Sequence, residues 1–550
     1  MSDSDHKEKT APTTVGVDMA ADEAELARMG YKQELRRELG LMQNFGVRWI
    51  VFREAKARSL TLFQVSFSII SVMTGIPSLF AYGLNTGGPA VMAWGWIVVS
   101  LFTSLVGLAM GEICSAHPTS GGPYFWAAML SPPESAALAS WVTGWFNLLG
   151  QVAVTTGISF ACANFIGTAA TLKTSYVHTP NANIGIYAAV LITQGLINTF
   201  GVHLLNTLNN ISVWWHGIGT FSLVVAILAK APKHQSAEFV FKTFLDGTGG
   251  WGDRASHAYV VVIGILMSQY TITGFDASAH MTEETKNAAM SGSIGIIMAI
   301  GVSAVLGWFL ILGLLFSIQD LEGTLGSATG QPVTQIFLDT VGEDGAIVLM
   351  VIVVGAMFFC GTFSITSNSR MMFAFARDGG IPGHKFFNYV NTKWKSPIRT
   401  VWLACFLSFC LGLPSLGSTV AFAAATSIAT IGLYISYGIP IALRLIYRDR
   451  FVLGPFHLGR FSYPIAVGAV LWILFISIAF ILPQVNPVDS QTFNYSIVAV
   501  GIVVLYSFGF WVLSARKWFT GPVKQIAAEE MGINVMEPGE AAKYEREQAK

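Results

Sequence analysis

Charge is what this 550-residue chain lacks most. Asp, Glu, Lys and Arg together make up 12% of it, about half of the roughly 25% found in a water-soluble domain. So little charge cannot cover a water-facing surface of this size, and most of the exterior must face lipid. A charge bias is missing too. Lys and Arg number 32, as do Asp and Glu, which leaves no basic footprint for nucleic acid. Cysteine is scarce: Cys114, Cys162, Cys360, Cys405 and Cys410 are scattered, with no CxxC or ligand-spaced cluster. Neither disulfides nor a metal site is expected. No HExxH, GxSxG or paired-carboxylate site is present, and no polar segment is long enough to bury its own core. An enzyme is not expected, nor a cofactor. The first residues are polar and acidic, without the apolar stretch of a cleavable leader.

Apolar runs fill the space that charge leaves. A helix needs about 20 mostly apolar residues to cross a bilayer. Twelve such runs lie near 63–84, 89–111, 136–166, 184–202, 211–229, 258–279, 292–317, 346–369, 397–414, 418–440, 462–483 and 495–514. The expected fold is an all-α integral membrane protein with twelve transmembrane helices. An even count puts both tails on one side. Of the 32 Lys and Arg, only Lys173, Lys230, Lys233, Lys242 and Arg254 fall on connections of the other side. The positive-inside rule therefore places both tails, 1–45 and 515–550, in the cytoplasm, although the inner connection 112–135 holds no Lys or Arg.

Two runs are interrupted at matching places, the first by MTGIPS (73–78) and the sixth by ITGFDAS (272–278). In a helix interior Gly costs about 1 kcal/mol and Pro about 3. At membrane depth such breaks are tolerated where they line a cavity or pack inside protein. They open two consecutive blocks of five spans, 63–229 and 258–440, with 462–514 as two peripheral helices. Five is odd, so the second block enters from the opposite side. That makes two inverted five-helix repeats, and paired interruptions of this kind point to a transporter binding site.

A broken helix exposes N–H groups with partial positive charge at the start of its second half. In the first run these would come from about Gly75 to Ser78, and would hold a substrate carboxylate. Carbonyls near Met73 and Thr74 would take an ammonium. Thr74, Gly75, Ile76, Thr273 and Gly274 are thus candidate substrate contacts. Asn147, Gln151 and Thr155 recur every four residues and share one helix face, as do Ser364 and Ser367. Sodium would need first-run carbonyls and eighth-run hydroxyls together, so Ser364 and Ser367 keep sodium coupling open beside proton coupling. Asp276 is an ionisable group at mid-membrane, which marks a function by default. Three roles compete for it: facing a substrate amine, carrying a proton, or bracing the break by accepting N–H bonds. His216 is a second intramembrane ionisable residue. Glu283, Glu284, Lys286, Arg377 and Asp378 sit just inside the sixth and eighth runs, where ion pairs among them could lock an inner gate.

Three stretches carry a family resemblance: GEICSAHPTSGGPYFWAAML (111–130), GFDASAHMTEETKNA (274–288) and SRMMFAFARDGGIPGHKFF (369–387). With GYKQELRREL and TGPV they make the chain resemble the amino acid–polyamine–organocation transporters, and within them the fungal amino acid/choline/GABA permeases. The resemblance implies ten core helices in two inverted repeats plus two peripheral ones, and secondary active transport of a small molecule across a lipid bilayer. It also implies that Phe275 lids the substrate. Several sodium-independent relatives place a Lys in the fifth span where a sodium ion would sit. This chain has none there, and His216 could fill that position with a pKa suited to proton coupling.

The leading reading is a proton-coupled permease for an amino acid or GABA-like zwitterion, in the plasma membrane or alternatively the vacuolar membrane. A choline or polyamine carrier, with Asp276, Trp145, Tyr270 and Phe275 around a cation, is the alternative. A nutrient sensor is a third, disfavoured by the short tails. Residues 47–64, VRWIVFREAKARSLTLFQ, interrupt the family pattern, and their charges spread around a helical wheel rather than along one face. They read as a retained short intron; the alternative is a basic element at the membrane surface. Sequencing the mature transcript is expected to yield a message without these codons, and a message that contains them overturns the intron reading.

Overall fold

The computed structural model describes residues 26, 65–200, 202–285, 287–417 and 420–522. The 47–64 segment, Lys286, most of the expected N-terminal tail and the C-terminal tail beyond 522 lie outside them. Every named element of the described residues is helical. Among the described residues ten helices are long and apolar enough to cross a membrane, and each overlaps one of ten of the twelve expected runs.

The other two runs are broken. In the first, residues 65–69 are helical, Ile70 and Ser71 are not, and α1 (Val72–Ser78) and α2 (Phe80–Asn85) follow. Then come α3 (Gly88–Ala116), α4 (Pro123–Leu130), α5 (Pro133–Thr171), α6 (Pro180–Phe200) and α7 (Val202–Lys230). The sixth run consists of α8 (His257–Gly264), α9 (Leu266–Thr271), a non-helical stretch over 272–276, and α10 (Ala277–His280). The remaining long helices are α11 (Ala288–Phe316), α12 (Pro332–Arg377), α13 (Ile398–Gly412), α14 (Ala421–Ile446), α15 (Ser462–Ala479) and α16 (Ser496–Leu513).

One expectation needs correction. MTGIPS is not the break in the first run: it lies inside α1, Pro77 included, and the chain unwinds just before it at Ile70–Ser71. The glycine serves contact rather than flexibility. A Cβ on Gly75 would lie 2.7 Å from the Cα of Thr271, so α1 and α9 touch there backbone to backbone. In the sixth run the break falls where expected, and Gly274 adopts φ +98, a left-handed conformation that glycine enters without steric cost.

Close backbone contact also sets the scaffold around the breaks. Where α14 lies along α5, a Cβ on Gly432 would sit 3.0 Å from the Cα of Gly150. Membrane helices gain little from apolar burial against each other, and small residues that allow close van der Waals contact take over. Helix α12 bends at Gly342 (φ 73) and runs past its expected end to Arg377. That extension delivers Arg370 and Arg377 to the buried end of the bundle. Large apolar residues such as Val305, Leu471, Leu505 and Leu513 stay exposed, the surface expected against lipid.

Gly432→Val is therefore expected to destabilise the α5–α14 crossing by about 1–3 kcal/mol, read as a lower thermal midpoint in detergent. Gly301→Ala, with nothing within 4 Å of the new methyl, should not lower the midpoint and, by removing a helix-interior glycine, should raise it slightly.

Candidate functional site

The two breaks meet through serines. Ser66 Oγ, on the first half of the first run, donates to the carbonyl of Phe275 at 3.1 Å and accepts the N–H of Ser278 at 3.0 Å. It thereby satisfies both sides of the unwound stretch in the sixth run. Ser278 Oγ lies 2.6 Å from it. The carbonyls freed at Ile69 and Ile70 are taken by the Cys360 thiol (3.2 Å) and the Ser303 hydroxyl (3.3 Å). His216 of α7 braces the same point: Nδ1 lies 2.7 Å from the Ser212 carbonyl and Nε2 2.8 Å from Ser71 Oγ. A carbonyl only accepts, so Nδ1 carries the hydrogen, and a neutral imidazole then accepts the Ser71 hydroxyl at Nε2. His216 thus holds the break in the first run with no further proton required.

Asp276 is fully buried at the break in the sixth run. Its Oδ2 accepts from Gln151 Nε2 at 2.8 Å and Asn147 Nδ2 at 3.3 Å, both on α5, and faces His280 Nε2 at 3.2 Å. Its side chain makes no bond to the backbone N–H groups of α10, so the bracing it provides runs sideways to α5 rather than along the break. Asn147 Oδ1 is buried beside it without a partner among the described residues. The Tyr437 hydroxyl and the second carboxylate oxygen, Oδ1, lie just beyond ordinary hydrogen-bond geometry of their neighbours, with Tyr437 close enough to Asp276 to interact with its carboxylate as a hydrogen-bonding neighbour. Leaving a buried polar group unpaired costs about 1–3 kcal/mol, and such a group marks a place where a ligand or water completes the bonding. Phe275 is buried beside them, its ring centroid 5.1 Å from Tyr437 and 6.1 Å from Tyr434.

One step away, Thr74 and Gly75 of α1, Thr273 of the sixth-run break, Tyr270 of α9 and Cys360 of α12 line a small cavity. Its volume is about 10 Å³, room for a single water. The Tyr270 hydroxyl is buried there without a partner among the described residues. Beyond it a vestibule of about 940 Å³ opens, lined by Ser78, Tyr82, Phe160, Asn164, Asn183 and Gln484 among others. Ser78 is one helical turn past Thr74, so cavity and vestibule lie about 5 Å apart along the axis.

The opposite end is closed by buried ions. Arg377 donates to both carboxylate oxygens of Glu283, at 3.1 and 3.2 Å. Arg370 Nε reaches Glu284 at 2.8 Å, and Arg444 at the end of α14 reaches Glu112 near the end of α3 at 2.7 Å. Tyr124 donates to Asp378 at 2.9 Å, and the Ser120 N–H donates to Glu283 at 3.0 Å. We refer to this cluster as the lock.

The structure therefore brings the expected residues into three places. Thr74, Gly75 and Thr273 share the small cavity. Asn147, Gln151, Phe275 and Asp276 share the carboxylate centre, with Gly274 setting the turn between the two. Glu283, Arg377 and Asp378 form the lock. Ile76 is buried on α1 and lines neither space. Ser364 is paired with Thr155 at 2.8 Å, while Ser367 Oγ has no partner among the described residues. Trp145 packs against Phe375 and Tyr506, away from Tyr270. Glu284, expected at the gate, pairs with Arg370; Arg370, Ser66 and His280 were missed. The signal for His280 was present: it lies four residues after Asp276 and so shares its helix face.

These features define a multi-pass membrane protein built around two interrupted helices and a buried polar centre. A model of the amino acid permease family matches residues 60–505. The amino-acid permease BAT1 homolog of Oryza sativa is 44% identical over 518 residues, covering 92% of this chain and 96% of its own. Amino-acid permease BAT1 of Arabidopsis thaliana is 42% identical over 523 residues, 92% and 97% of the two chains. An amino-acid permease of Schizosaccharomyces pombe is 32% identical over 506 residues, 91% and 89%. The chain belongs to the amino acid permease family of the amino acid–polyamine–organocation superfamily, and is a transporter of that kind.

Removing one partner of a buried ion pair strands the other. Arg377→Met is expected to cost about 3–5 kcal/mol. The double variant Arg377→Met, Glu283→Gln keeps an acceptor for the Ser120 N–H and should recover most of it, as read from thermal unfolding of the four proteins of the cycle.

Proposed function

We propose that this chain imports an amino acid or a GABA-like zwitterion by proton-coupled alternating access. Counting each interrupted run as one pass gives twelve passes, arranged as two inverted five-helix repeats plus two peripheral helices. Both tails then lie in the cytoplasm, with the lock facing inward and the vestibule outward. The observation that carries the reading is the asymmetry about the breaks: a large vestibule reaches them from one end, while buried ion pairs seal the other. That is the geometry of an outward-facing carrier. The small cavity is far too tight for an amino acid, so substrate entry requires α1 or α9 to move, as a gating step would.

Substrate contacts are Thr74, Gly75 and Thr273 with the Tyr270 hydroxyl, and α1's first-turn N–H groups after Ser71 supply the partial positive charge for a carboxylate. Protons are favoured over sodium because two of the oxygens that a sodium ion would need are already engaged. The Ile69 carbonyl accepts from Cys360, and Ser364 is bonded to Thr155. An amino-acid substrate is favoured over choline because the relatives are named amino-acid permeases and Trp145 lies away from the cavity.

Uptake of labelled GABA, proline, arginine and choline into proteoliposomes tests this. With the membrane potential clamped, an acid-outside gradient of about one pH unit should drive roughly tenfold accumulation of an amino acid if one proton moves with each substrate, since one unit corresponds to about 1.4 kcal/mol. A protonophore should abolish it. Uptake that follows sodium and ignores pH overturns proton coupling. Uptake of choline alone overturns the substrate class. Specific binding without any uptake favours a sensor.

A further inference from the structure

Between the Asp276 centre and the lock runs an unbroken line of hydrogen bonds. His280 Nε2 lies 3.2 Å from Asp276 Oδ2, and its Nδ1 lies 2.9 Å from the carbonyl of Ser120. The N–H of the same Ser120 donates at 3.0 Å to Glu283 Oε1, which Arg377 also reaches at 3.1 Å. His280 is fully buried. The loop packs directly on its ring: a Cβ on Gly122 would meet His280 Cε1 at 3.0 Å.

A proton count follows from the acceptors. The Ser120 carbonyl only accepts, so Nδ1 carries a hydrogen. The Nε2–Oδ2 contact needs a second one, held either as imidazolium beside carboxylate or as carboxylic acid beside neutral imidazole. The two groups then share that one proton. Remove that proton, and the imidazole has one N–H for two acceptors. Either the Nε2 lone pair faces the carboxylate, or the Nδ1 lone pair faces the Ser120 carbonyl. One contact must break. His216, satisfied as a neutral ring, faces no such choice.

We propose that Asp276 and His280 together hold a single proton that keeps the lock closed, and that His280 is the positioning residue through which its loss releases the Ser120 loop. The proposal rests on the proton-coupled reading above. The proton enters from vestibule water and leaves to water at the lock end; the pair is left as carboxylate and neutral imidazole, so one proton and one unit of charge move. The groups facing the pair are Asn147 and Gln151 from α5, Tyr434 and Tyr437 from α14, and Ser120 from the loop, with Glu283 and Arg377 one bond further on. Coupling is reciprocal: whatever opens the lock also weakens the hold on the proton.

The test uses the full-length chain with Cys410→Ser and Thr119→Cys, which puts one reporter thiol on the buried loop. Its alkylation rate is measured in proteoliposomes without substrate, and normalised at each pH to the same thiol in the unfolded chain. The normalised rate should rise at least ~5-fold between about pH 5 and about pH 8. It should be flat when His280→Gln or Asp276→Asn is added. A flat profile in the parent overturns the proposal, as does a rise that survives in either variant. If His280→Gln does not fold, Asp276→Asn and the parent profile still decide. A pH-sensitive loop in a protein whose uptake ignores the proton gradient would instead sink the coupled-transport reading and leave the loop switch standing.

Discussion

The rest of the molecule depends on one constraint: backbone N–H and C=O groups inside a bilayer must find partners within the protein. Two interrupted helices at membrane depth expose several such groups at once. The chain answers with small polar side chains from neighbouring helices. Ser66 satisfies both sides of the break in the sixth run. Cys360 and Ser303 take the carbonyls freed in the first, and His216 reaches the serine between its halves. Each break is therefore completed by other elements, and none could persist in an isolated helix. This obliges the broken helices to lie at the centre of the bundle, with the unbroken ones around them.

From that arrangement the division of the ends follows. A broken helix has two halves that can move separately, and here the halves differ in what they meet. The first run borders open space at Ser78–Tyr82, while the sixth run leads into buried charge at Glu283 and Glu284. Glu283, Glu284, Arg370 and Arg377 are drawn from the ends of two different helices and are almost wholly excluded from solvent. Such pairs repay their desolvation only while the geometry holds. Under the proposed function, a seal of this kind would serve as the inner gate.

Much of this was legible in the chain. The low charge, the apolar runs and the Gly274 break announced a membrane protein with an interrupted sixth run, and the four-residue spacing of Asn147 and Gln151 foretold a shared face, which the structure turns toward Asp276. The first-run break was misplaced because Gly75 and Pro77 look like breakers. In three dimensions Gly75 is there to let Thr271 approach, and Pro77 is absorbed into α1. Local composition cannot distinguish a glycine that bends from a glycine that makes room, because the reason lies on another helix.

The amino-acid sequence by itself determined the class of protein, the approximate spans and the residue types at the centre. These follow from local quantities: hydropathy over about 20 residues, helical spacing and the cost of a buried charge. Only the tertiary structure decided the partners. That Asp276 is held by α5 rather than by its own backbone, that Ser120 joins His280 to Glu283, and that one end is open while the other is locked are all relations between segments far apart in the chain. Hydrogen bonds and ion pairs act over about 3 Å, so which of them form depends on which helices touch, and sequence spacing alone does not carry that information.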